Sequence, residues 1–181
     1  MKPQDIEKRS FEIITAELGE RTFPDGIAQV VKRVIHTTAD FDYADNLVFS
    51  PDVIEKAKAA LLSGATVVTD TNMALSGISK PTLAEIGAKA LCLMADAEVA
   101  AEAKTRGVTR AVVSMEHAAK LPGPLIFAVG NAPTALIRLH ELIEAGELSP
   151  ALIIGVPVGF VNVVEAKELF IGGETPYIIA R

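Results

Sequence analysis

His36 is the titratable side chain of this sequence whose position best suits acid–base chemistry. An amphipathic pattern from Ile27 to Ile35 leads up to it, so the histidine is predicted at or near the C-terminus of a helix. The negative end of the helix dipole favours the protonated imidazolium, an acid able to donate to a bound substrate. Arg33 shares the same helix face and supplies a cation that suits an anionic substrate. The alternatives are a helix-terminal cap for His36 and a solvated surface residue for Arg33.

Two turn segments that follow predicted strands are the second set of candidates, namely Gly130–Leu136 and Gly155–Phe160. In the first, Asn131 is expected to cap the next helix and Pro133 to fit its first turn. The free amides of that helix N-terminus are suited to receive a carboxylate. In the second, two glycines and a proline bring bare backbone to the sheet edge, where a large flat ligand can approach. Plain structural turns remain the alternative for both.

The other reactive residue types show no spacing that indicates a site. His117 and His140 are interpreted as structural or solvent-facing, and the glutamates between 141 and 147 as a solvated acidic face. Because Cys92 is the single cysteine, we expect no thiolate cluster and no metal bound by the protein. The chain also lacks a dinucleotide fingerprint, a Walker loop and a serine-hydrolase elbow, so nucleotide cofactors and serine hydrolysis have no support.

The composition is that of an apolar, acidic globular domain. Of 181 residues, 50% are hydrophobic and 22% are charged, with a net charge of −6. That charge, together with only 5% aromatic residues, argues against a nucleic-acid partner. The longest apolar run, 151–164, is interrupted by glycine and proline and is shorter than the roughly 20 residues of a membrane span. We therefore expect no membrane partner and, with one cysteine and no secretory signal, a cytoplasmic location.

The N-terminal part of the chain is predicted to be helical. An amphipathic helix is expected over Asp5–Leu18, and a second one with Asp25 as its N-cap. Leu47–Phe49 is expected to be extended. Ser50-Pro51 is expected to open a further helix, with the serine as N-cap and the proline in the first turn.

From residue 65 onward, short apolar runs alternate with helical stretches. Strands are expected at Ala65–Thr69, Ala90–Leu93, Leu125–Val129, Ala151–Ile154 and Tyr177–Ile179, and helices at Ala97–Lys104, Arg110–Ala119, Thr134–Ala145 and Val163–Phe170. This alternation is typical of a parallel sheet covered on both faces. We expect a doubly wound, flavodoxin-like α/β fold of about five mostly parallel strands. An N-terminal helical segment precedes it, and residues 1–181 form a single domain. Ligands of such sheets bind beyond the carboxyl ends of the strands.

Read in order, several segments of the chain resemble one family over nearly its whole length. They are Arg9–Phe11, Arg33–His36, Phe49–Pro51, Asp70–Gly77, Gly130–Leu136 and Gly155–Val161. Together they resemble precorrin-8X methylmutase, also known as cobalt-precorrin-8 methylmutase. The resemblance implies an isomerase of cobalamin biosynthesis that moves a methyl group from C-11 to C-12 of the corrin macrocycle. The product is hydrogenobyrinic or cobyrinic acid.

The resemblance also implies roles for particular residues. His36 is implied as the catalytic proton donor or acceptor, Ser10 and Arg33 as substrate contacts, and Arg110 and Ser79 as further polar contacts. It implies a tetrapyrrole substrate, no external cofactor and a homodimer, with cobalt present only if the substrate carries it. Relative to the family pattern, a glycine-rich segment and a last helix are expected beyond Arg181, so the sequence is expected to be a truncated version.

Two further questions stay open on the residues alone. The absence of an acid–base pair and the glycine-rich strand ends also fit a non-catalytic module that binds corrinoids or anionic metabolites. A nucleotide-using α/β enzyme is a weaker option. The residues do not distinguish a cobalt-containing from a metal-free substrate.

Overall fold

A computed structural model describes residues 3–24 and 26–181, with side chains from residue 5 onward. These residues fall into two compact units, a first one up to Leu47 and a second one over Val48–Arg181. Each unit has its own hydrophobic contacts. The single domain over residues 1–181 stays a prediction.

The first unit is helical, as expected. It contains α1 (Pro3–Leu18), α2 (Ile27–Thr38) and the short, unpredicted α3 (Tyr43–Asn46). The helices α1 and α2 pack against each other, and they bury Ile14, Leu18, Val31 and Ile35, whereas Ile6 and Ile13 of α1 stay exposed. The predicted cap Asp25 lies outside the described residues. The helix α2 begins after Gly26, whose φ of 82° suits glycine, and it continues two residues beyond His36.

The second unit alternates strands and helices. Its strands are β1 (Leu47–Phe49), β2 (Thr66–Thr69), β3 (Lys89–Leu91), β4 (Leu125–Val129), β5 (Leu152–Gly155) and β6 (Tyr177–Ala180). Leu47, the first residue of β1, is also the last residue of the first unit. Its helices are α4 (Val53–Leu62), α5 (Asn72–Gly77), α6 (Lys80–Glu85), α7 (Ala97–Arg106), α8 (Arg110–Ala118), α9 (Pro133–Glu144) and α10 (Val163–Glu168). The short helices α5 and α6 were not predicted, because their few turns lack a repeating apolar face.

The sheet has the expected connectivity. Its strand order is β1-β6-β5-β4-β2-β3, and the pairs β2/β3, β2/β4, β4/β5 and β5/β6 are parallel. Without β1, the other five strands have the order 2-1-3-4-5 of flavodoxin-like folds, which confirms the fold prediction. The strand β1 adds a sixth strand at one edge.

The strands read as uninterrupted apolar runs because the sheet is covered on both faces. All four residues of β2 and all four of β6 are buried. The largest buried side chains of the core include Phe127, Leu136, Leu139, Ile153 and Ile179. In register, Thr69 of β2 pairs with Ala128 of β4, and Val129 of β4 pairs with Gly155 of β5. The carboxyl ends of these three strands therefore lie level at one edge.

The helix start predicted at Ser50-Pro51 is wrong. The helix α4 begins at Val53, and its N-cap position is held by Asp52 with a left-handed φ of 57° and no side-chain cap bond. Ser50 instead is buried against the last strand, where its Oγ accepts a hydrogen bond of 2.9 Å from the backbone N–H of Tyr177. Its own N–H donates to the Tyr177 carbonyl at 3.0 Å. The hydroxyl that the local sequence assigned to a helix N-cap is therefore hydrogen-bonded to Tyr177, 127 residues further along the chain.

Candidate active site

His36 occupies the last turn of α2, as the sequence predicted. Val31 and Ile35 of the same helix are almost fully buried, and this fixes the rotation of the helix. The helix ends at Ala39, which has a left-handed φ of 56° and returns its N–H to the Ile35 carbonyl. The imidazole itself is half-buried. It therefore lies where the negative end of the α2 dipole acts on it and where a ligand can reach it.

The imidazole is held by two consecutive residues of α1. The Ser10 hydroxyl lies 2.7 Å from His36 Nδ1, within hydrogen-bond distance. The Phe11 ring stacks on the imidazole, with a centroid separation of 5.4 Å and an interplanar angle of 24°. A ring held at one edge and on one face has little freedom to rotate. The implied site residue Ser10 is thus in contact with His36, whereas Phe11 was quoted only as part of a motif.

Arg33 lies in the same unit but its charge is already engaged. Its guanidinium carbon is 4.8 Å from the centroid of the Phe11 ring, a cation–π contact, and it forms an ion pair with Glu7. The Arg33 side chain remains 59% exposed, so water competes for the same charge. A carboxylate of a bound substrate would have to share this cation with Glu7 or displace it.

His36 and Ser10 border an open groove between the helices of the first unit. The groove has a volume of about 370 Å³, and apolar side chains form most of its wall. The lining residues include Ile6, Ile13, Ile14, Ala39 and Phe41, with Arg9 and Glu17 as charged members. An apolar wall with a small number of polar groups is the usual make-up of a small-molecule site.

In the second unit, the carboxyl edge of the sheet is organised by Asp70, the residue after β2. Its carboxylate is fully buried. It accepts hydrogen bonds from the backbone N–H groups of Gly130 at 3.0 Å, Asn131 at 2.8 Å and Ala132 at 2.7 Å. The amide-rich turn before α9 does receive a carboxylate, but that carboxylate belongs to the protein.

This arrangement corrects the expected role of Asn131. The N-cap position of α9 is Ala132, which makes no side-chain cap bond, and Pro133 occupies the first helical turn as predicted. Asn131 is exposed and contributes its backbone N–H to Asp70. Because one ionised side chain collects three successive amides, the turn needs no capping side chain of its own.

The second turn segment also differs from the expectation of a backbone left bare for a ligand. A Cβ added at Gly155 would lie 2.7 Å from the Ile179 Cδ1 atom and 3.2 Å from a Leu136 methyl group. Core side chains therefore already fill the space beside this glycine. The exposed part of the segment is the loop beyond it, where the large apolar residues Val158, Phe160 and Val161 face outward.

The remaining implied contacts, Ser79 and Arg110, lie in the second unit. Ser79 precedes α6, is exposed, and shares a 2.8 Å hydrogen bond with Thr82. Arg110 is the first residue of α8 and is also exposed. The hydroxyl of its neighbour Thr109 lies 3.3 Å from that of Thr134 in the first turn of α9, so α8 begins near the carboxyl edge of β4. The structure brings Ser10 into contact with His36 and places Arg33 over the Phe11 ring that stacks on the imidazole. Ser79 and Arg110 lie in the second unit.

A charge network on α7, α8 and α9 was not predicted. Arg106 pairs with both Glu102 and Glu116, and Arg138 pairs with Glu116 and Glu141. The hydrogen bond from Arg106 is the main cause that holds the pKa of the Glu116 carboxyl below its ordinary value of 4.5. The i,i+4 spacing of Glu102 and Arg106 is a signal that sequence reading could have used.

The two other histidines have structural partners. His117 Nε2 lies 2.8 Å from a carboxylate oxygen of Glu102. This hydrogen bond is the main cause that lowers the pKa of the Glu102 carboxyl below its ordinary value. His140 meets the edge of the Phe170 ring at a centroid distance of 5.7 Å. Within residues 3–24 and 26–181, no three His, Cys, Asp or Glu side chains are grouped as metal ligands, and no helix is long and apolar enough to cross a membrane.

Comparison with known proteins places the chain. The model of the family described as precorrin-8X methylmutase (CbiC) matches residues 5–181. The chain belongs to this family. It is 43% identical over 178 residues to the cobalt-precorrin-8 methylmutase of Priestia megaterium, covering 98% of this chain and 79% of that protein. It is 37% identical to the precorrin-8X methylmutase of Pseudomonas aeruginosa, covering 98% of this chain and 86% of the relative.

Solved structures agree with the family. The precorrin-8X methylmutase from Thermus thermophilus superposes with a TM-score of 0.90 at 39% identity, over 98% of this chain and 86% of that one. The chain is accordingly an enzyme, an isomerase of cobalamin biosynthesis that transfers a methyl group within its substrate. The non-catalytic binding module considered from the sequence is not favoured, because the curated relatives are named as methylmutases.

Proposed function

We propose that this chain moves a methyl group from C-11 to C-12 of a precorrin-8X-type macrocycle, with His36 as the catalytic acid–base group. The observation that carries the proposal is the environment of the imidazole. It lies at the C-terminal end of α2, on the wall of an apolar groove, and Ser10 and Phe11 of α1 hold it in place. A positioned imidazole at an accessible site is the usual arrangement for general acid–base catalysis.

The chemical role of His36 is to hold and move one proton at the macrocycle. In this scheme the ring enters the reaction protonated on both nitrogens and acts as the proton donor. Protonation makes the ring system of the macrocycle electron-poor. The methyl group then migrates from C-11 to C-12 together with its bonding electron pair. The overall change is an isomerisation, so the proton returns to His36 when the product forms. This scheme needs no nucleophile and no dissociable cofactor, and cobalt enters only as part of the substrate.

Binding of the acidic substrate has to rely on local donors. With a net charge of −6, the protein as a whole repels an anion with several carboxylates. We assign Ser79 and Arg110, together with Arg33, to carboxylate contacts on the substrate. All three side chains are exposed, and Arg110 starts a helix whose N-terminal amides also favour an anion. Replacement of Arg110 by methionine is expected to raise KM more than it lowers kcat.

We also propose that the enzyme acts as a cytoplasmic homodimer. A tetrapyrrole with its carboxylate arms is large, whereas pockets that enclose an ordinary drug-sized ligand already span about 300–1,000 Å³. The groove beside His36 is about 370 Å³ and open, so it encloses only part of such a substrate. Phe160 is fully exposed and Val158, Val161 and Val164 are at least 67% exposed, which is unusual for a monomer. Light scattering at micromolar concentration should give twice the chain mass, and a monomeric mass would refute the dimer.

The test of the function is a conversion assay with two substrates. The purified protein is mixed with precorrin-8X and, separately, with its cobalt form, and the visible spectrum is followed. The proposal predicts a change to the product chromophore with at least one of them. The relatives carry both names, so the substrate that converts faster also identifies the branch. Bound but unchanged spectra with both substrates would refute the proposal.

A further inference from the structure

The hydrogen bond between Ser10 and His36 distinguishes the two nitrogens of the imidazole. In the described part of the chain, this 2.7 Å contact at Nδ1 is the hydrogen bond that the ring makes. Among the residues that the structure describes, no hydrogen-bond partner contacts Nε2, and the ring borders the apolar groove. Since the tautomer of a histidine is set by the partner of one nitrogen, Ser10 is placed to decide which nitrogen reacts.

The direction of this hydrogen bond follows from the proposed role of the ring. A histidine that acts as an acid through Nε2 and keeps its Nδ1–H begins as the imidazolium, in which both nitrogens carry hydrogen. In that state Nδ1 can only donate, so the Ser10 oxygen must accept. If the same bond persists after Nε2 has given up its proton, the neutral ring keeps hydrogen on Nδ1 and a lone pair on Nε2.

We propose that Ser10 is a positioning residue that keeps His36 in the Nδ1–H form, so that Nε2 alone exchanges the proton with the substrate. When the acid acts, the Nε2–H bond breaks, its electron pair stays on nitrogen, and the proton passes to the macrocycle. The lone pair of Nε2 takes a proton back when the product forms, and Nδ1–H stays bonded to Ser10 throughout. The inference rests on the proposed function of His36. The role of Ser10 as a substrate contact, which the family resemblance implies, stays a prediction beside it.

The decisive measurement is the tautomer of His36, because it requires no turnover. Protein labelled with ¹⁵N in its histidine rings is studied by multiple-bond ¹H–¹⁵N correlation spectra over a pH series. The chain has three histidines, and the spectrum of His36→Gln assigns the His36 signals by their loss. The proposal predicts that neutral His36 carries its hydrogen on Nδ1, which is the minor form of a free histidine.

Three variants make the test specific. Ser10→Ala should shift neutral His36 to the common Nε2–H form, and Ser10→Thr should restore the wild-type pattern. Thr15→Ala is the matched control, since it removes a hydroxyl from the same helix. That hydroxyl is exposed and donates to the Phe11 carbonyl. A wrongly fixed tautomer costs about 10⁴-fold in kcat in a Ser-His-Asp triad. The ring in Ser10→Ala is only released, so we expect a smaller loss, roughly 10- to 100-fold in kcat, with KM nearly unchanged.

The outcomes separate this inference from the function on which it rests. An Nε2–H form in the wild type, or a tautomer unchanged by Ser10→Ala, overturns the role of Ser10 even if the enzyme converts its substrate. A kcat loss in Ser10→Ala that Ser10→Thr does not recover also overturns it. A wild type with the expected tautomer that converts neither substrate refutes the proposed function instead.

Discussion

Asp70→Asn is the change whose energetic effect can be worked out most fully from the structure. One carboxylate oxygen of Asp70 accepts the Gly130 N–H, and the other accepts the N–H groups of Asn131 and Ala132. Asparagine keeps one oxygen and places an NH₂ group where the other oxygen was. In its better orientation, the amide oxygen keeps the two bonds from Asn131 and Ala132. The NH₂ group then faces the Gly130 N–H, so the third bond is lost and two donors face each other.

The magnitude follows from the loss of charge-assisted bonds in a buried place. A hydrogen bond to a charged group contributes about 1.5–3 kcal/mol, roughly twice a neutral one. One lost bond and two weakened ones, offset by the easier burial of a neutral amide, give a loss of about 2–4 kcal/mol in the free energy of unfolding. At 2–4 °C per kcal/mol for a chain of this size, Tm should fall by roughly 4–16 °C. Asp70→Ala should lose more, since it leaves all three N–H groups without this acceptor.

The assay is urea unfolding followed by circular dichroism, with Asp96→Asn as control. Asp96 precedes α7, is exposed and makes no side-chain cap bond, so its replacement should cost at most about 1 kcal/mol. An unfolding free energy of Asp70→Asn within about 0.5 kcal/mol of the wild type would refute the reasoning. So would a larger loss in the asparagine than in the alanine variant.

Two other predictions concern packing and pH. Gly155→Ala should destabilise the protein by about 1–3 kcal/mol, because the new Cβ meets the side chain of Ile179. Part of that loss should be recovered in the double variant with Ile179→Val. Purely additive losses in a double-mutant cycle would contradict this explanation. Arg106 lowers the pKa of Glu116 below its ordinary value of 4.5, so the ionised carboxylate stabilises the fold at any pH above 4.5. That stabilisation is lost as the pH falls through the lowered pKa. Glu116→Gln should thus be less stable than the wild type at pH 7, and the difference should shrink toward pH 3; a gap that stays constant with pH would argue against the ion pair.

Elements with a long periodic pattern were predicted almost to the residue. The strand β4 has the predicted bounds, α8 ends one residue earlier than predicted, and α9 begins and ends one residue earlier than predicted. Their apolar faces supply most of the core, so pattern and packing agree. The position of His36 was predictable for the same reason, because the apolar residues of α2 fix both its face and its end.

Features that depend on distant partners could not be predicted from local sequence. Ser50 has the sequence of a helix cap, but its partner Tyr177 is 127 residues away. Asp70 looked like one member of a strand-end segment, and its three amide donors lie 60 to 62 residues further along. The contact of Ser10 with His36 spans 26 residues, so spacing alone gave no sign of it. Only the family resemblance marked both as site residues.

If His36 moves the proton that allows methyl migration, its loss must slow the chemical step itself. The most direct test is the single-turnover rate of His36→Ala. Enzyme in excess is mixed with the macrocycle that the wild type converts, and substrate binding is measured separately by spectral titration. We expect a rate at least about 100-fold lower, with binding within a few-fold of the wild type, since general acid–base catalysis contributes about 10²- to 10⁴-fold. A folded His36→Ala protein that converts substrate at close to the wild-type rate would contradict it.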